Sequence, residues 1–224
     1  MRYYGGKTAE ADEKRGVVKD IEGRAAAQDF SGEEPRDLGA DHAVCSICPH
    51  ACALAEGQTG LCRARVAEGG QVVDANYGRI TSLALDPIEK KPLARFRPGS
   101  KVLSVGSYGC NLRCPFCQNG NLVQHPEWEP VIPEEEIFAV LEKRRGVLDG
   151  VCVTGGEPTL DPDLERFVTK IKELGYLVKL DTNGYRPEIL KKLVEEKKID
   201  YVAMDIKNAP SRYGETASVK KIDV

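Results

Sequence analysis

The sequence predicts an α/β protein, a partial (β/α) barrel preceded by a small cysteine-rich module. From residue 101 onward, short β-branched runs alternate with amphipathic helical segments across short loops, which is typical of a parallel sheet. Four cysteines precede that alternation, between residues 45 and 62. The predicted organisation is a flexible tail over 1–41, a cysteine-rich metal-binding module with its connector over 42–100, and the partial barrel over 101–224.

Composition narrows the classes of function. The chain has 224 residues, of which 41% are apolar, enough for a core. Its 32 Lys and Arg nearly balance 35 Asp and Glu, and the net charge of −3 argues against a dedicated nucleic-acid-binding protein. No apolar run approaches the ~18 residues of a membrane span, and we expect no membrane association. The N-terminus has no apolar signal core, so we expect a cytoplasmic protein, where clustered cysteines bind metal more often than they form disulfides.

The first two segments have few regular elements. Residues 1–41 hold seven Lys and Arg and ten Asp and Glu with little apolar periodicity, which favours a flexible, solvated tail. In 42–100 the cysteines are followed by short strands around turns over 71–80, and the segment has no long helix.

The barrel segment has clear element signals. Glu134-Glu135-Glu136 suits the start of a helix, and Asp161 with Pro162 reads as an N-cap followed by the first helical residue. The predicted strands are 101–106, 150–154, 176–181 and 199–206. The predicted helices are 133–145, 161–174 and 187–197.

Polar residues follow every predicted strand. The first strand leads into a cysteine loop, the second into Gly155-Gly156-Glu157-Pro158, the third into Asp181-Thr182-Asn183-Gly184, and the fourth into Asp205-Ile206-Lys207. Because the carboxyl ends of parallel strands meet at one edge of a sheet, we expect these residues to share one rim.

The sharpest motif is Cys110-x3-Cys114-x2-Cys117. Three thiolates on one loop suit three irons of a cubane cluster and leave the fourth iron open to bind a substrate or cofactor. The alternatives are a zinc site, which needs a fourth ligand nearby, and buried thiols without metal.

This spacing, with Phe116 just before the last cysteine, resembles the radical S-adenosylmethionine (SAM) superfamily over residues 101–207. The resemblance implies a [4Fe–4S] cluster whose open iron is chelated by the amino and carboxylate groups of SAM. Gly155-Gly156-Glu157-Pro158 is similar to that family's GGEP motif, whose backbone and acidic side chain help to hold the amino group.

Asp181-Thr182-Asn183-Gly184 and Met204-Asp205-Ile206-Lys207 resemble the subgroup of pyruvate formate-lyase activating enzymes and anaerobic ribonucleotide reductase activating proteins. In that subgroup Lys207 would pair with the cofactor carboxylate; the alternative is a solvated rim lysine. The cofactor-binding residues implied are Phe116, Gly155, Gly156, Glu157, Pro158, Asp181, Thr182, Asn183, Asp205 and Lys207.

A monovalent cation is also expected at this rim. Two carboxylates beside the cofactor carboxylate need a positive charge between them. Asp181, Asp205 and the backbone carbonyl of Thr182 are its predicted ligands, and the alternative for Asp181 is a turn-capping side chain.

The resemblance implies an oxidoreductase working under anaerobic conditions. A reduced cluster would cleave SAM to methionine and a 5′-deoxyadenosyl radical, which would abstract a hydrogen atom from a glycine of a partner glycyl radical enzyme. A flavodoxin- or ferredoxin-type protein would supply the electron. The alternatives are a radical enzyme acting on another substrate and a truncated, non-catalytic iron–sulfur protein.

The second cysteine set is Cys45-x2-Cys48-x3-Cys52-x9-Cys62, a strong metal signal. A second [4Fe–4S] cluster would relay electrons, whereas zinc would stabilise a module too small for its own core. A disulfide or free thiols are the remaining alternative.

Residues 45–119 resemble a different group, the radical enzymes named AmmeMemoRadiSam. The similarity rests on Cys-x2-Cys-Pro-His-x-Cys, on residues 86–93 and 98–100, and on Cys114-Pro115-Phe116-Cys117-Gln118-Asn119. That group's glycine motif usually reads Tyr-Asn-Glu-Pro, and its substrate does not carry over. Within 86–93 we expect Lys90 and Lys91 to face water.

Length sets a further expectation. The predicted barrel segment has four strands, whereas the partial barrel of the resembling family usually has about six strand–helix units. We therefore expect a C-terminally incomplete barrel whose cleavage of SAM is weak or absent unless the missing strands are supplied; robust turnover by this chain alone would refute that expectation.

Overall fold

The structure, a computed structural model, describes residues 42–76, 78, 80–91, 97–120, 123, 132–219 and 222. The predicted tail over 1–41 lies outside the described residues. Within them, the main feature is a five-stranded sheet, accompanied by two small two-stranded sheets. No helix in these ranges has the length and apolar character needed to cross a membrane.

The elements are numbered in chain order. The two small sheets contain β1 (His42–Val44) with β2 (Ala53–Ala55), and β3 (Arg65–Glu68) with β4 (Gln71–Asp74). The main sheet contains β5 (Ile80–Pro87), β6 (Lys101–Ser107), β7 (Gly150–Gly155), β8 (Leu177–Thr182) and β9 (Tyr201–Met204). The helices are α1 (Glu134–Lys143), α2 (Leu164–Glu173), α3 (Pro187–Glu195) and α4 (Tyr213–Ala217).

The predicted α/β class and parallel sheet are confirmed. The strand order is β5-β6-β7-β8-β9, and the four strands from β6 onward are parallel. One face of the sheet packs against the helices, because Val151, Val153, Val178 and Leu180 share a core with apolar side chains of α1 and α2. Because successive side chains of a strand point to opposite faces, burial of these four directs the side chains between them to the opposite face of the sheet.

The opposite face carries a polar row. Ser104, Cys152, Lys179 and Tyr201 are paired in register across β6 to β9. Cys152 has no exposed surface and packs with Val102 and Tyr201. Of these four residues, Lys179 lines the site described below.

Three features differ from the sequence predictions. β5 adds to the main sheet antiparallel to β6, so the sheet begins before the predicted module boundary at residue 100. Helix α2 begins at Leu164 rather than at 161, because Asp161 accepts a hydrogen bond from the N–H of Asp163 in a turn before the helix. The segment after β9 contains the short helix α4, which is not among the predicted helices.

A buried arginine joins the cysteine-rich segment to the barrel. Arg65 is 2% exposed, and its guanidinium donates to Asp74 at 2.7 Å, to Asn76 at 3.2 Å and to the carbonyl of Leu160 after β7. Pairing with Asp74 compensates the charge that burial would otherwise leave isolated.

A buried carboxylate holds two lysines at the end of β5. Lys90 Nζ donates to Asp86 Oδ1 at 2.7 Å, while Lys91 Nζ and Ser104 Oγ lie 3.2 and 2.7 Å from Oδ2. Lys90 is largely exposed, as predicted, but the Lys91 side chain is only 17% exposed, which differs from the expectation that it faces water. Burial acts to raise the pKa of Asp86, but the bonds from Lys90, Ser104 and Lys91 outweigh it and lower the pKa to about 2.

Replacing this carboxylate tests its contribution to stability. A folded-state pKa below the ordinary value means that ionised Asp86 stabilises the fold above about pH 4, and that this is lost as pH falls towards 2. We expect Asp86→Asn to lower the free energy of unfolding at pH 7 by about 2 kcal/mol, with the difference shrinking at acidic pH. Urea denaturation at several pH values measures this. Asp163→Asn, at a carboxylate about half exposed, is the control. Equal stability of D86N and wild type at pH 7 would contradict the account.

Candidate active site

The predicted rim residues line one cavity of about 1030 Å³ at the carboxyl ends of the parallel strands. Each of the four strand ends contributes to it. All three cysteines of the CxxxCxxC loop are free thiols and lie in its wall. The predicted residues in the lining are Cys110, Cys114, Phe116, Cys117, Gly155, Gly156, Asp181, Thr182, Asn183, Asp205 and Lys207.

The cysteine loop is already provided with hydrogen-bond donors. The backbone N–H of Leu112 lies 3.4 Å from Cys110 Sγ, and the side-chain amide of Asn183 lies 3.7 Å from it. Burial raises the pKa of Cys110 to about 12 and also raises that of Cys114, where the nearby charge of Lys207 acts in the opposite direction. Both shifts favour the protonated thiol at Cys110 and Cys114 in the absence of metal, whereas metal ligation requires the thiolate.

The glycine turn fits against the start of the cysteine loop with no space for a side chain. A Cβ on Gly156 would lie 1.9 Å from the carbonyl oxygen of Gly109. The N–H groups of Gly156 and Glu157 donate to the carbonyls of Ser107 and Gly109, both at 2.8 Å. Gly155 has φ +120°, a conformation that favours glycine. The turn thus presents backbone, not side chains, to the cavity.

Glu157 is buried outside the wall of this cavity. It is 2% exposed, and neither it nor Pro158 belongs to the cavity wall within the described residues. Its Oε1 accepts from Thr159 N at 3.0 Å, Thr159 Oγ1 at 2.6 Å and Thr182 Oγ1 at 2.7 Å, and Oε2 accepts from Asn183 N at 2.7 Å. Burial raises its pKa against the effect of these bonds. Its predicted contact with the cofactor amino group remains a prediction.

Asn183 extends this connection to the cysteine loop. Its Oδ1 accepts from the N–H of Tyr185 at 3.0 Å, which fixes the amide orientation, so its Nδ2 donates to Asn111 Oδ1 at 2.8 Å as well as to Cys110. Asn111 has no exposed surface, and its Nδ2 has no hydrogen-bond partner among the described residues. Sequence reasoning missed Asn111, although its position directly after Cys110 was a signal.

Both carboxylates predicted as cation ligands already have a lysine partner, and the Thr182 carbonyl accepts from the N–H of Asp205 at 3.0 Å. Lys179 Nζ bonds Asp181 Oδ1, and Lys207 Nζ lies 2.8 Å from Asp205 Oδ2. Lys179 was also missed; its signal was a lysine between apolar residues of a buried strand. In the described part of the chain, no three His, Cys, Asp or Glu side chains are gathered closely enough for one metal ion. The monovalent cation remains a prediction.

The N-terminal cysteines lie close enough to influence one another. Burial raises the pKa of Cys48 to about 11, and the like charges of Cys62, Cys52 and Cys45 add to the effect. Burial likewise raises the pKa values of Cys52 and Cys62. His50, inside the motif, points elsewhere, with Nε2 2.8 Å from the Asn111 carbonyl.

The two cysteine sets are in direct contact. The N–H of Cys110 donates to the carbonyl of Cys62 at 3.2 Å. Gly109 has φ +93° and approaches Ala64 so closely that a Cβ there would lie 2.6 Å from the alanine methyl. The backbones on either side therefore touch immediately before Cys110.

Introducing a side chain at Gly156 tests how closely the glycine turn packs against the cysteine loop. In Gly156→Ala the methyl group would collide with backbone, so we expect unfolding to become easier by roughly 2 kcal/mol and less iron to be retained after anaerobic reconstitution. Iron analysis and urea denaturation measure both effects. Gly120→Ala is the matched control, since its Cβ would lie 3.9 Å from Cys117. Retention of wild-type iron and stability by G156A would show that the turn tolerates a side chain.

Comparison with known proteins agrees with this geometry. An uncharacterized protein of Methanocaldococcus jannaschii is 35% identical over 174 residues, covering 75% of this chain and 50% of that protein. A second protein of that organism, provisionally named a glycyl-radical enzyme activating enzyme, is 40% identical over 110 residues, or 48% of this chain and 44% of its own length. A 7-carboxy-7-deazaguanine synthase of Halobacterium salinarum is 35% identical over 89 residues, or 38% of this chain and 33% of its own.

The chain thus spans half or less of the length of these relatives. The sequence model of the Radical SAM superfamily matches residues 104–222, a stretch that begins in β6 and includes the cysteine loop and the other three strand ends. With three free thiols on that loop and a cavity beneath it, the chain belongs to the radical SAM superfamily, a family that implies a [4Fe–4S] cluster and SAM.

Proposed function

We propose that Cys110, Cys114 and Cys117 hold a [4Fe–4S] cluster at which SAM binds and is cleaved to abstract a hydrogen atom from a substrate. The observation that carries this is the donor set: three free thiols line one cavity, and no fourth cysteine of the described residues does so. Three thiolates suit a cluster with an open iron better than a closed four-ligand zinc site. When bound, cluster and SAM supply the radical chemistry, and the protein supplies orientation and charge.

The surrounding residues have separate parts in this proposal. The backbone of Gly155 and Gly156 borders the space for the amino group of SAM. The Lys207 side chain, 19% exposed and held by Asp205, would pair with the carboxylate of SAM. Asn183 donates to Cys110 and stabilises its thiolate form. Phe116, 56% exposed, forms the outer edge of the cavity.

A glycine of a partner glycyl radical enzyme is the first candidate for the hydrogen donor. Two relatives from M. jannaschii carry provisional names as glycyl-radical enzyme activating enzymes. The Asp181-Thr182-Asn183-Gly184 and Asp205-Ile206-Lys207 turns support the same subgroup. A flavodoxin- or ferredoxin-type reductant and an anaerobic cytoplasm, where thiols and clusters stay reduced, complete this proposal.

A small molecule is the second candidate for the hydrogen donor. Several relatives are named 7-carboxy-7-deazaguanine synthases. One specific observation favours it: Lys90, Lys91 and Lys179 line the cavity, which gives its inner end cationic groups suited to a small polar substrate.

The N-terminal cysteine set is proposed to hold a second [4Fe–4S] cluster that passes electrons to the first. The hydrogen bond from the Cys110 N–H to the Cys62 carbonyl supports this, because it gives a short path between the sets. A zinc ion that only stabilises residues 42–100 is the alternative for the same four thiols.

Removal of one loop cysteine tests the central proposal. We expect anaerobically reconstituted, dithionite-reduced protein to convert SAM to 5′-deoxyadenosine, and Cys117→Ala to lose both that activity and the iron of this site, because the cluster loses a ligand. Chromatography and iron analysis measure the two. Cys152→Ala, which removes a cysteine outside the loop, should keep its iron. Unchanged iron in C117A would argue against the assignment.

The location of the product radical and the origin of the abstracted hydrogen distinguish the two candidate hydrogen donors. Electron paramagnetic resonance of a candidate partner, encoded beside this chain, should show a glycine-centred radical if the first candidate holds. Loss of deuterium from a labelled small molecule into 5′-deoxyadenosine, with no radical on the partner, would favour the second.

The metal of the N-terminal set has its own test. In the double variant Cys45→Ala/Cys48→Ala we expect about half of the iron to be lost while Cys110, Cys114 and Cys117 keep theirs, because the two sets use different ligands. Parallel zinc analysis is decisive: loss of zinc with iron unchanged would replace the relay by a structural zinc site.

A further inference from the structure

The inner end of the cavity carries two nearly buried ammonium groups. The side chain of Lys179 is 5% exposed and that of Lys91 is 17% exposed, and both line the cavity. They come from different parts of the chain, Lys179 from the middle of β8 and Lys91 from the turn after β5. Burial of a lysine side chain is costly unless its charge is paired. Lys91 is paired with Asp86, and Lys179 is paired with Asp181.

Both ammonium groups have donors to spare. An ammonium has three N–H donors, and among the described residues Lys91 uses one, towards Asp86 Oδ2 at 3.2 Å. Lys179 bonds Asp181 Oδ1 and lies 3.8 Å from Cys152 Sγ. Asp86 and Asp181 therefore fix the two ammonium groups in place without saturating them.

The two lysines are linked through the side chains of one sheet face. Cys152 Sγ donates to Asp181 Oδ2 at 3.5 Å and pairs in register with Lys179. Asp86, the partner of Lys91, accepts from Ser104 Oγ at 2.7 Å, and Ser104 pairs in register with Cys152 across β6 and β7. Both lysines are therefore connected to the same row of side chains on the sheet.

The local charge favours an anion. The Lys91 and Lys179 side chains both line the cleft, together with Lys90. Charge-assisted hydrogen bonds from ammonium groups to an anion are stronger in such a cleft than in open water.

The position separates this group from the cofactor residues. Asp181 lies two residues nearer than Lys179 to the carboxyl end of β8, where the cysteine loop and Lys207 are found. Lys179 is thus deeper along the sheet. The cavity of about 1030 Å³ lies at the upper end of the ~300–1,000 Å³ of single-ligand pockets.

We propose that Lys91 and Lys179 form a subsite for the carboxylate or phosphate group of a small-molecule substrate bound beside SAM. A small molecule fits better than a polypeptide, because the Lys179 ammonium lies below the rim in a nearly closed environment. This deepens the second candidate and rests on the proposed function for the reaction, but the binding itself needs no turnover.

The test measures binding of small anions to the reconstituted protein with SAM present. By anaerobic isothermal titration calorimetry, we expect malonate or inorganic phosphate to bind, and the neutral malonamide not to bind. Lys91→Met should weaken binding about tenfold or more, since it removes one charge-assisted contact. Lys91→Arg should keep most of the affinity. Lys191→Met, at a lysine 73% exposed on α3, should bind as wild type.

Lys91 is the better first variant because Asp86 keeps Lys90 and Ser104 as partners and the fold should persist; circular dichroism checks this. Lys179→Met is the second. Preference for malonate identifies a carboxylate substrate, and preference for phosphate a phosphorylated one; either supports the subsite.

Four results would overturn the proposal. The first two are wild-type anion binding by both variants and binding of malonamide as tight as that of malonate. The other two are binding of an Asp-Gly-Asp peptide without binding of either small anion, and a loss of SAM affinity in K91M equal to its loss of anion affinity. Absence of 5′-deoxyadenosine with intact anion binding would count against the proposed function and leave the subsite standing.

Discussion

The carboxylate of Glu157 is the interaction on which the site depends. It lies between two neighbouring strand ends and accepts hydrogen bonds from Thr159, Thr182 and Asn183. Asn183 then donates to Asn111 and Cys110, so one buried group joins the glycine turn, the Asp-Thr-Asn-Gly turn and the cysteine loop. A buried carboxylate without partners would cost several kcal/mol; here four donors offset that cost.

The residues of these motifs have different roles in this arrangement. Backbone of the glycine turn and side chains of Asp181, Asp205 and Lys207 face the cavity, whereas Glu157 faces away from it and fixes their positions. Rigid placement before any ligand binds lowers the ordering cost of binding and of reaction. The contact of Cys110 with Cys62 extends the same rigid frame to the N-terminal cysteines.

Local patterns predicted most of the fold and much of the site. The four parallel strands and the shared rim could be predicted because strand alternation and the carboxyl-end rule depend on neighbouring residues only. Strand β5 was not predicted as part of this sheet because it runs antiparallel to β6 and lies outside the strand–helix alternation that predicted the other four strands. The hydrogen bonds of Glu157 and the pairing of Lys179 with Asp181 also depend on contacts made only after folding, so motif spacing alone could not predict them.

The most direct test of this account is the stability of Glu157→Gln in protein free of cluster and SAM. If Glu157 acts by joining the three loops, the side-chain NH2 group introduced in E157Q would point at N–H and O–H donors and could not accept their hydrogen bonds. Urea denaturation should then show a free energy of unfolding lower by about 2 kcal/mol. Wild-type stability of the ligand-free variant, with only SAM affinity reduced, would show instead that Glu157 acts as a cofactor ligand and would contradict the account.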